Sequence, residues 1–350
     1  MGKYFLGVDG GNTKTDYLLC TTDGDFIDVL RTGTCSHECF NDGYEGMKRV
    51  MRDQLSGLLR RNGIGVGDIA AAGFGLAGAD LPSQTAELKK RVEELGFAIY
   101  GLSNDGILGI KGASDSGVGL CAVNGTGTVV VGIDETGKIL QVGGVGQLSG
   151  DRAGGGHIRN QIITGLYEFY YRCGDGSAMF KPIMELLDAN PEDMLTAVSD
   201  GESLNRHTVD IIQIGAKAAC DGDPLAIGIF DAVGVSIGQS AAGCIRRLSF
   251  KGLGTDDTPI DIAQVGSIWY KIPYAGMNAA FMRTVGDLSG KRCRLVKLEA
   301  PAAVGGVLWA KEIADGKPVP AAYRKKLLDE ITMEKYESVA YGKSSVSENK

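Results

Sequence analysis

Residues Phe5–Leu19 read FLGVDGGNTKTDYLL, and residues Cys121–Leu140 read CAVNGTGTVVVGIDETGKIL. Side by side, Val8 matches Val123, Asp9 matches Asn124, Gly10 matches Gly125 and Thr13 matches Thr128. In each copy an apolar run enters a glycine–threonine loop and leaves through a second apolar run. A turn follows (Asp23-Gly24 or Thr136-Gly137), then a third run, Phe26–Arg31 or Ile139–Val142. Each copy therefore predicts strand–loop–strand–turn–strand. A repeat of this length predicts a duplicated domain with one cleft between the copies. The plainer alternative is a chance likeness between two glycine-rich hairpins. A dinucleotide-binding fold would enter a helix after its first glycine loop, whereas this chain returns in an antiparallel strand.

Outward from these stretches, Tyr4–Val8 and Asp16–Thr21 read as strands. Tyr44–Arg61 reads as a helix with Met47, Val50, Met51, Leu55, Leu58 and Leu59 on one face. A strand at Asp68–Gly75, a helix at Pro82–Leu95 and a strand at Ile99–Leu102 complete the first half. After the second triplet, helices are expected at Gly156–Tyr171, Ala178–Leu187, Asn205–Ala219, Pro224–Leu248, Tyr274–Val285, Pro301–Ala314 and Ala321–Tyr336. One strand, Ile260–Val265, interrupts them, and Lys343–Lys350 reads as a frayed tail.

With 350 residues, 43% of them hydrophobic and 23% charged, the chain has the makeup of a globular protein of two domains. Its net charge of -7 argues against a nucleic-acid partner, which calls for a basic field. No run approaches the roughly 18 apolar residues of a membrane span. The eight cysteines form no CxxC pair, and with three histidines there is no zinc constellation. A reducing, cytoplasmic setting is expected.

The opening loop lacks Walker-A spacing, since the one Gly-Lys-Ser, Gly342–Ser344, has Glu337 where a glycine is needed. Gly10, Gly11 and Asn12 can instead present consecutive backbone N–H groups to phosphate oxygens, with Thr13 and Lys14 adding a hydroxyl and a charge. Asp9 can orient water on Mg²⁺, which keeps much of its hydration. Gly125, Thr126, Gly127 and Thr128 form the matching loop, and a structural turn is the alternative for both. Gly73–Gly78 fits GxGxxG literally, but the next helix starts too late to meet a pyrophosphate. It reads better as a strand end lining a cleft. Asn104-Asp105 closes a strand just before the second copy, where one carboxylate could accept a proton from an attacking hydroxyl. Capping a helix at Ile107 is the plainer role. Asp151, after the glycine run from Gly143, is either an N-cap or a ligand for a substrate hydroxyl. Gly266-Ser267, with Trp269 following, could pack against an adenine or simply turn from strand to helix.

In this order the motifs resemble the sugar kinase/actin/heat-shock ATPase superfold, and most closely the BadF/BadG/BcrA/BcrD ATPase family, from about Tyr4 to Ala310. The resemblance implies an α/β chain of two ribonuclease H-like (actin-like ATPase) domains with a nucleotide and substrate cleft between them. It places these at 1–117 and 118–320, with helical additions in the second, and a closing helix at 321–342 packed back on the first. It implies ATP and Mg²⁺ as cofactors and Asp105 as the base. Ser36, His37, Asn104, Gly144 and Asp151 would meet a small-molecule sugar. The implied activity is phosphorylation of N-acetylglucosamine or a related amino sugar at its 6-hydroxyl, by a homodimer. Two other readings stay open: an ATPase activator of a 2-hydroxyacyl-CoA dehydratase, and a non-catalytic sugar-sensing regulator. Related sugar kinases often have asparagine where Ser36 stands, and Gly-Asp-Glu-Gly where this chain has Gly150-Asp-Arg-Ala153.

Overall fold

The computed structural model describes residues 2–342; the tail read as frayed lies outside them. The first half forms strands β1 (Tyr4–Gly10), β2 (Lys14–Thr21) and β3 (Phe26–Gly33), then helix α1 (Tyr44–Arg61). It continues with β4 (Ile69–Leu76), α2 (Pro82–Glu94), β5 (Tyr100–Ser103) and α3 (Gly106–Ala113). The second half opens with β6 (Gly119–Asn124), β7 (Thr128–Ile133) and β8 (Ile139–Gly143). The helices α4 (Gly155–Tyr171), α5 (Phe180–Leu186), α6 (Met194–Ser199), α7 (Gly201–Arg206), α8 (Thr208–Cys220) and α9 (Pro224–Arg247) follow. The chain ends with β9 (Ile260–Val265), α10 (Ser267–Lys271), α11 (Gly276–Ser289), β10 (Cys293–Lys297), α12 (Ala302–Asp315), α13 (Ala321–Glu330) and α14 (Met333–Gly342).

The repeat is realised in the sheets. The first has order β3-β2-β1-β4-β5 and the second, read from its other end, β8-β7-β6-β9-β10. In both, the first three strands pair antiparallel while the central strand pairs parallel with the fourth. Asp9 and Asn124 thus occupy equivalent positions at strand ends.

Two helices lock the halves together by exchange. α3 follows the first sheet, yet its Ile107, Leu108 and Ile110 are buried with Cys121, Val131 and Ala263 of the second. α12 follows the second sheet, yet its Val304 and Val307 pack on Phe5, Leu18 and Ala71 of the first. At these crossings backbone meets backbone: a Cβ on Gly7 would overlap the Ala303 carbonyl, and one on Gly73 the Gly306 carbonyl. The 24-residue α9 is long and apolar enough to cross a membrane by length and composition. Here it packs along α11, and a Cβ on Gly234 would overlap the Met277 carbonyl.

Several expectations need correction. The helix expected over Asn205–Ala219 is broken at His207, and the closing helix is two helices parted near Ile331. α6 and β10 were not foreseen, and α3 appeared only as the helix that Asp105 would cap at Ile107. The closing pair does pack on the first sheet: Leu327, Ile331 and Tyr336 are buried with Phe5, Leu18 and Val29.

Candidate functional site

The two repeat loops close equivalent hairpins, β1–β2 and β6–β7. In the first, Gly11 N–H closes the turn on Lys14 O at 2.9 Å, so this amide is not free for a phosphate. Asn12, Thr13 and Lys14 are exposed at the tip. Gly10 lies close to its neighbours: a Cβ there would stand 2.7 Å from Leu76 Cδ2 and 3.0 Å from Cys35 Sγ, so those side chains would have to shift. In the second loop Gly125 N–H bonds Gly127 O at 2.9 Å and Thr128 Oγ1 donates to Val123 O at 3.0 Å. These groups shape the loop, which leaves Thr126 and Gly127 at the exposed tip.

One cavity of about 220 Å³ gathers Asp9, Gly11, Thr13 and Lys14 with Asp105 and Gly106, closed by Val123 and Val265 of the second half. An adjoining cavity of about 270 Å³ shares Asp9, Lys14 and Val265, and adds Gly266, Tyr270 and Met333. Gly125–Thr128 and Ser267 line neither cavity. Gly266 has φ +105, and a Cβ there would overlap Asn124 O, so the backbones of the two motifs touch. Trp269 itself is buried, 4% exposed, and its indole N–H donates to Ala122 O at 2.9 Å inside the core, so its ring does not face the cleft.

The charges in the cleft are mismatched. Burial, then the Asp105 and Asp16 carboxylates, raise Asp9 to a pKa of about 7. Burial and the Asp80 charge raise Asp105 to about 6. Burial also opposes ionisation of Asp16, but bonds from Arg31 at 2.7 and 2.8 Å and Lys14 at 2.7 Å hold it below the usual carboxylate range. Asp105 sits at the N-cap of α3, but its side chain makes no capping bond. Asn104 Oδ1 takes the Gly106 N–H instead, at 2.9 Å. Asp105 thus holds the N-cap position without a full side-chain capping bond, and its carboxylate lines the cleft.

Beyond Asp105 the wall is built from polar groups of both halves. Asp80 Oδ1 accepts Asn104 Nδ2 at 2.9 Å and Gln141 Nε2 at 2.7 Å, and Gln141 also reaches Gly143 O at 3.2 Å. Asp151 is not the cap of α4, a place held by Gly154. Its Oδ2 instead accepts the Gly144 and Gly146 amides at 3.0 and 2.7 Å, stapling the glycine loop. Gly144 N–H is thereby occupied as well. Ser36 and His37 form a buried turn whose Oγ and Nδ1 have no hydrogen-bond partner. His37 stacks on Tyr44 at 4.2 Å, and burial lowers its pKa, which keeps it neutral. Thr34 ties this segment to the first loop by donating to Gly11 O at 2.8 Å.

Asp80, Gln141, Asp16 and Arg31 were missed from sequence. Asp80 carried a signal: like Asp105, it follows the carboxyl end of a parallel strand, where α/β sheets place their ligands. Asp16 and Arg31 carried a weaker one, as charges inside apolar strands.

A profile of the BadF/BadG/BcrA/BcrD ATPase family matches residues 6–310. The chain belongs to this family. Within reach of the family is an N-acetylmuramic acid/N-acetylglucosamine kinase of Clostridium acetobutylicum, 20% identical over 89% of this chain and 100% of that protein. An N-acetyl-D-glucosamine kinase of Dictyostelium discoideum is 25% identical over 55% of this chain and 63% of its own length. Among solved structures, a candidate N-acetylglucosamine kinase of Chromobacterium violaceum superposes with a TM-score of 0.59. It is 21% identical, and the alignment covers 88% of this chain and 99% of that one. This likeness carries the fold: two actin-like ATPase lobes. The family match ends before α13 and α14 begin.

Proposed function

We propose that this family member is an ATP-dependent sugar kinase that phosphorylates N-acetylglucosamine or a related amino sugar at the 6-hydroxyl. The observation that carries the reading is Asp105. Its carboxylate is raised to about 6, and it shares one cavity with Asp9, Thr13 and Lys14. A general base works best with a pKa near the working pH. In the proposed step Asp105 takes the proton of the sugar hydroxyl, and that oxygen attacks the γ-phosphorus of ATP in line. The bond to the β–γ bridging oxygen breaks, and ADP leaves with the electron pair. Lys14 lies beside the transferred charge.

The donor set suits a magnesium ion carried by the nucleotide. Among the described residues no group of three or more His, Cys, Asp or Glu is placed to hold a metal. An ion would therefore keep much of its hydration and meet Asp9 through water. A cation there would also relieve the repulsion that raises Asp9 and Asp105. The names of the Clostridium and Dictyostelium relatives support the sugar; Ser36, His37 and Gln141 are the groups that would read it.

The test is sugar-dependent ADP release across amino, acetamido and unmodified hexoses, with the product's phosphate located by NMR. ADP release with N-acetylglucosamine and a 6-phosphate product bear the proposal out. ATP hydrolysis indifferent to every sugar would overturn it.

A further inference from the structure

We propose that the C-terminal extension is part of the nucleotide-binding apparatus, with Tyr336 as a positioning residue that holds Lys14 in the cleft through Arg31 and Asp16. The inference rests on the reading that Lys14 faces a nucleotide.

α13 and α14 lie beyond the family match, yet α14 reaches the cavity beside the first repeat loop. Tyr336 is fully buried, and the Arg31 guanidinium lies over its ring, 5.7 Å from the centroid. Arg31 forks onto Asp16, with Nε to Oδ1 at 2.7 Å and Nη2 to Oδ2 at 2.8 Å. Lys14 Nζ binds the same Oδ2 at 2.7 Å. The Asp16 side chain is only 3% exposed, so a buried carboxylate is neutralised by two cations. The first residue of α14, Met333, is half-exposed and lines the 270 Å³ cavity with Asp9 and Lys14.

This arrangement divides the work between the cations. An aromatic face fixes the guanidinium and strengthens its hold on the carboxylate. With Arg31 fixed, Asp16 is largely satisfied, and Lys14, on a flexible stem with its side chain 46% exposed, can turn its remaining donors into the cavity. Without the ring the guanidinium loses one of its supports, and Asp16 holds the Lys14 ammonium it already binds more tightly, away from phosphate oxygens. The Tyr336 hydroxyl also lies near Asp16, so Tyr336→Phe separates the part played by the ring from that of the hydroxyl.

The experiment measures ADP affinity by calorimetry, steady-state KM for ATP and for the sugar, and melting temperature. It compares the full chain with Tyr336→Leu, Tyr336→Phe, Met333→Ala and Leu327→Ala. Leu327 is a buried residue of α13, so its variant loosens the extension without touching Arg31. Tyr336→Leu is expected to weaken ADP binding and raise KM for ATP by about 5–20-fold, with the sugar KM within about twofold. Tyr336→Phe keeps the ring and should retain most of the affinity. Met333→Ala should weaken ADP binding by about 2–5-fold.

The proposal is overturned if Tyr336→Leu binds ADP like the parent. It is also overturned if Leu327→Ala, at a matched loss of melting temperature, weakens ADP binding equally. Should Tyr336→Leu not fold, Met333→Ala decides: unchanged ADP affinity sinks the proposal and weakened affinity upholds it. If the parent chain binds no adenine nucleotide, the kinase reading fails first and this inference falls with it. ADP binding in the parent without an effect of these variants overturns the inference alone.

Discussion

Gln141 Nε2 donates to Asp80 Oδ1 across 2.7 Å, joining β8 of the second sheet to the loop after β4 of the first. The same oxygen accepts the side chain of Asn104, the neighbour of Asp105. One carboxylate is therefore shared by both halves of the cleft, and its charge is the second cause, after burial, that raises Asp105. Asp80→Asn should keep a polar group in place while removing that charge. The acid limb of the pH profile of kcat/KM should then move to lower pH, because Asp105 ionises more readily. An unmoved limb would separate Asp80 from the base. Gln141→Leu removes one cross-cleft bond and should lower kcat/KM about 5–10-fold, equivalent to a bond worth about 1 kcal/mol.

Asp105→Asn is isosteric and cannot accept the proton. It should cost on the order of 10²–10⁴-fold in kcat while leaving ADP affinity nearly intact. In the parent, the raised carboxyl is protonated below a pH of about 6, so turnover should fall as the pH drops through that value. A variant with parental kcat would remove Asp105 from the chemistry.

How far these features could be read from sequence follows their range along the chain. The repeat was legible because each copy writes its strands, loop and turn within about twenty residues. The helix Tyr44–Arg61 was legible because its buried Met47, Met51, Leu55, Leu58 and Leu59 fall on one face. α3 was legible only as an alternative, a helix at Ile107 for Asp105 to cap, because Gly106, Gly109 and Gly112 give it low helix propensity. Those glycines serve packing instead: a Cβ on Gly109 would stand 2.6 Å from Cys121 Sγ. β10 was hidden because CRLVK is a short, partly exposed edge strand with no clean alternation. The Asp80–Gln141 contact spans 61 residues and two domains, and nothing local specifies it. Asp151 looked like a cap or a ligand because either role begins with an acid after glycines; only the fold shows its oxygen bound to the Gly144 and Gly146 amides.

Asp9 should weaken the fold it serves. Its folded pKa of about 7 lies above the ordinary aspartate value of 3.8, so between those values the folded chain holds a proton that the unfolded chain releases. Stability from this group is greatest at low pH within the window and is lost as pH rises through about 7. Asp105 acts in the same direction up to about 6. At pH 8 Asp9→Asn should therefore melt at a higher temperature than the parent, with a smaller change between pH 5 and pH 8. The variant should also lose activity, since the neutral amide no longer attracts a hydrated cation. Differential scanning calorimetry at the two pH values checks this; a variant that melts lower than the parent at pH 8 would contradict it.

Gly73 tests the crossing that joins the halves. β4 packs against α12 so closely that a Cβ at position 73 would overlap the Gly306 carbonyl, with Gly306 Cα only 3.0 Å away. Neither neighbour is a flexible side-chain end, so the added methyl must push the helix off the sheet. Gly73→Ala should cost about 1–3 kcal/mol, as overpacking of a well-filled core does. Because α12 also packs on α3, which carries Asp105 at its N-terminus, the shift should reach the cleft. Gly57→Ala is the control: it lies in α1 with open space where the Cβ would go, and alanine there should stabilise slightly. Chemical denaturation of both variants, with kcat measured alongside, checks the pair. Equal stability of Gly73→Ala and the parent would show that the helix yields at no cost, and that the tight crossing does not hold the two halves in register.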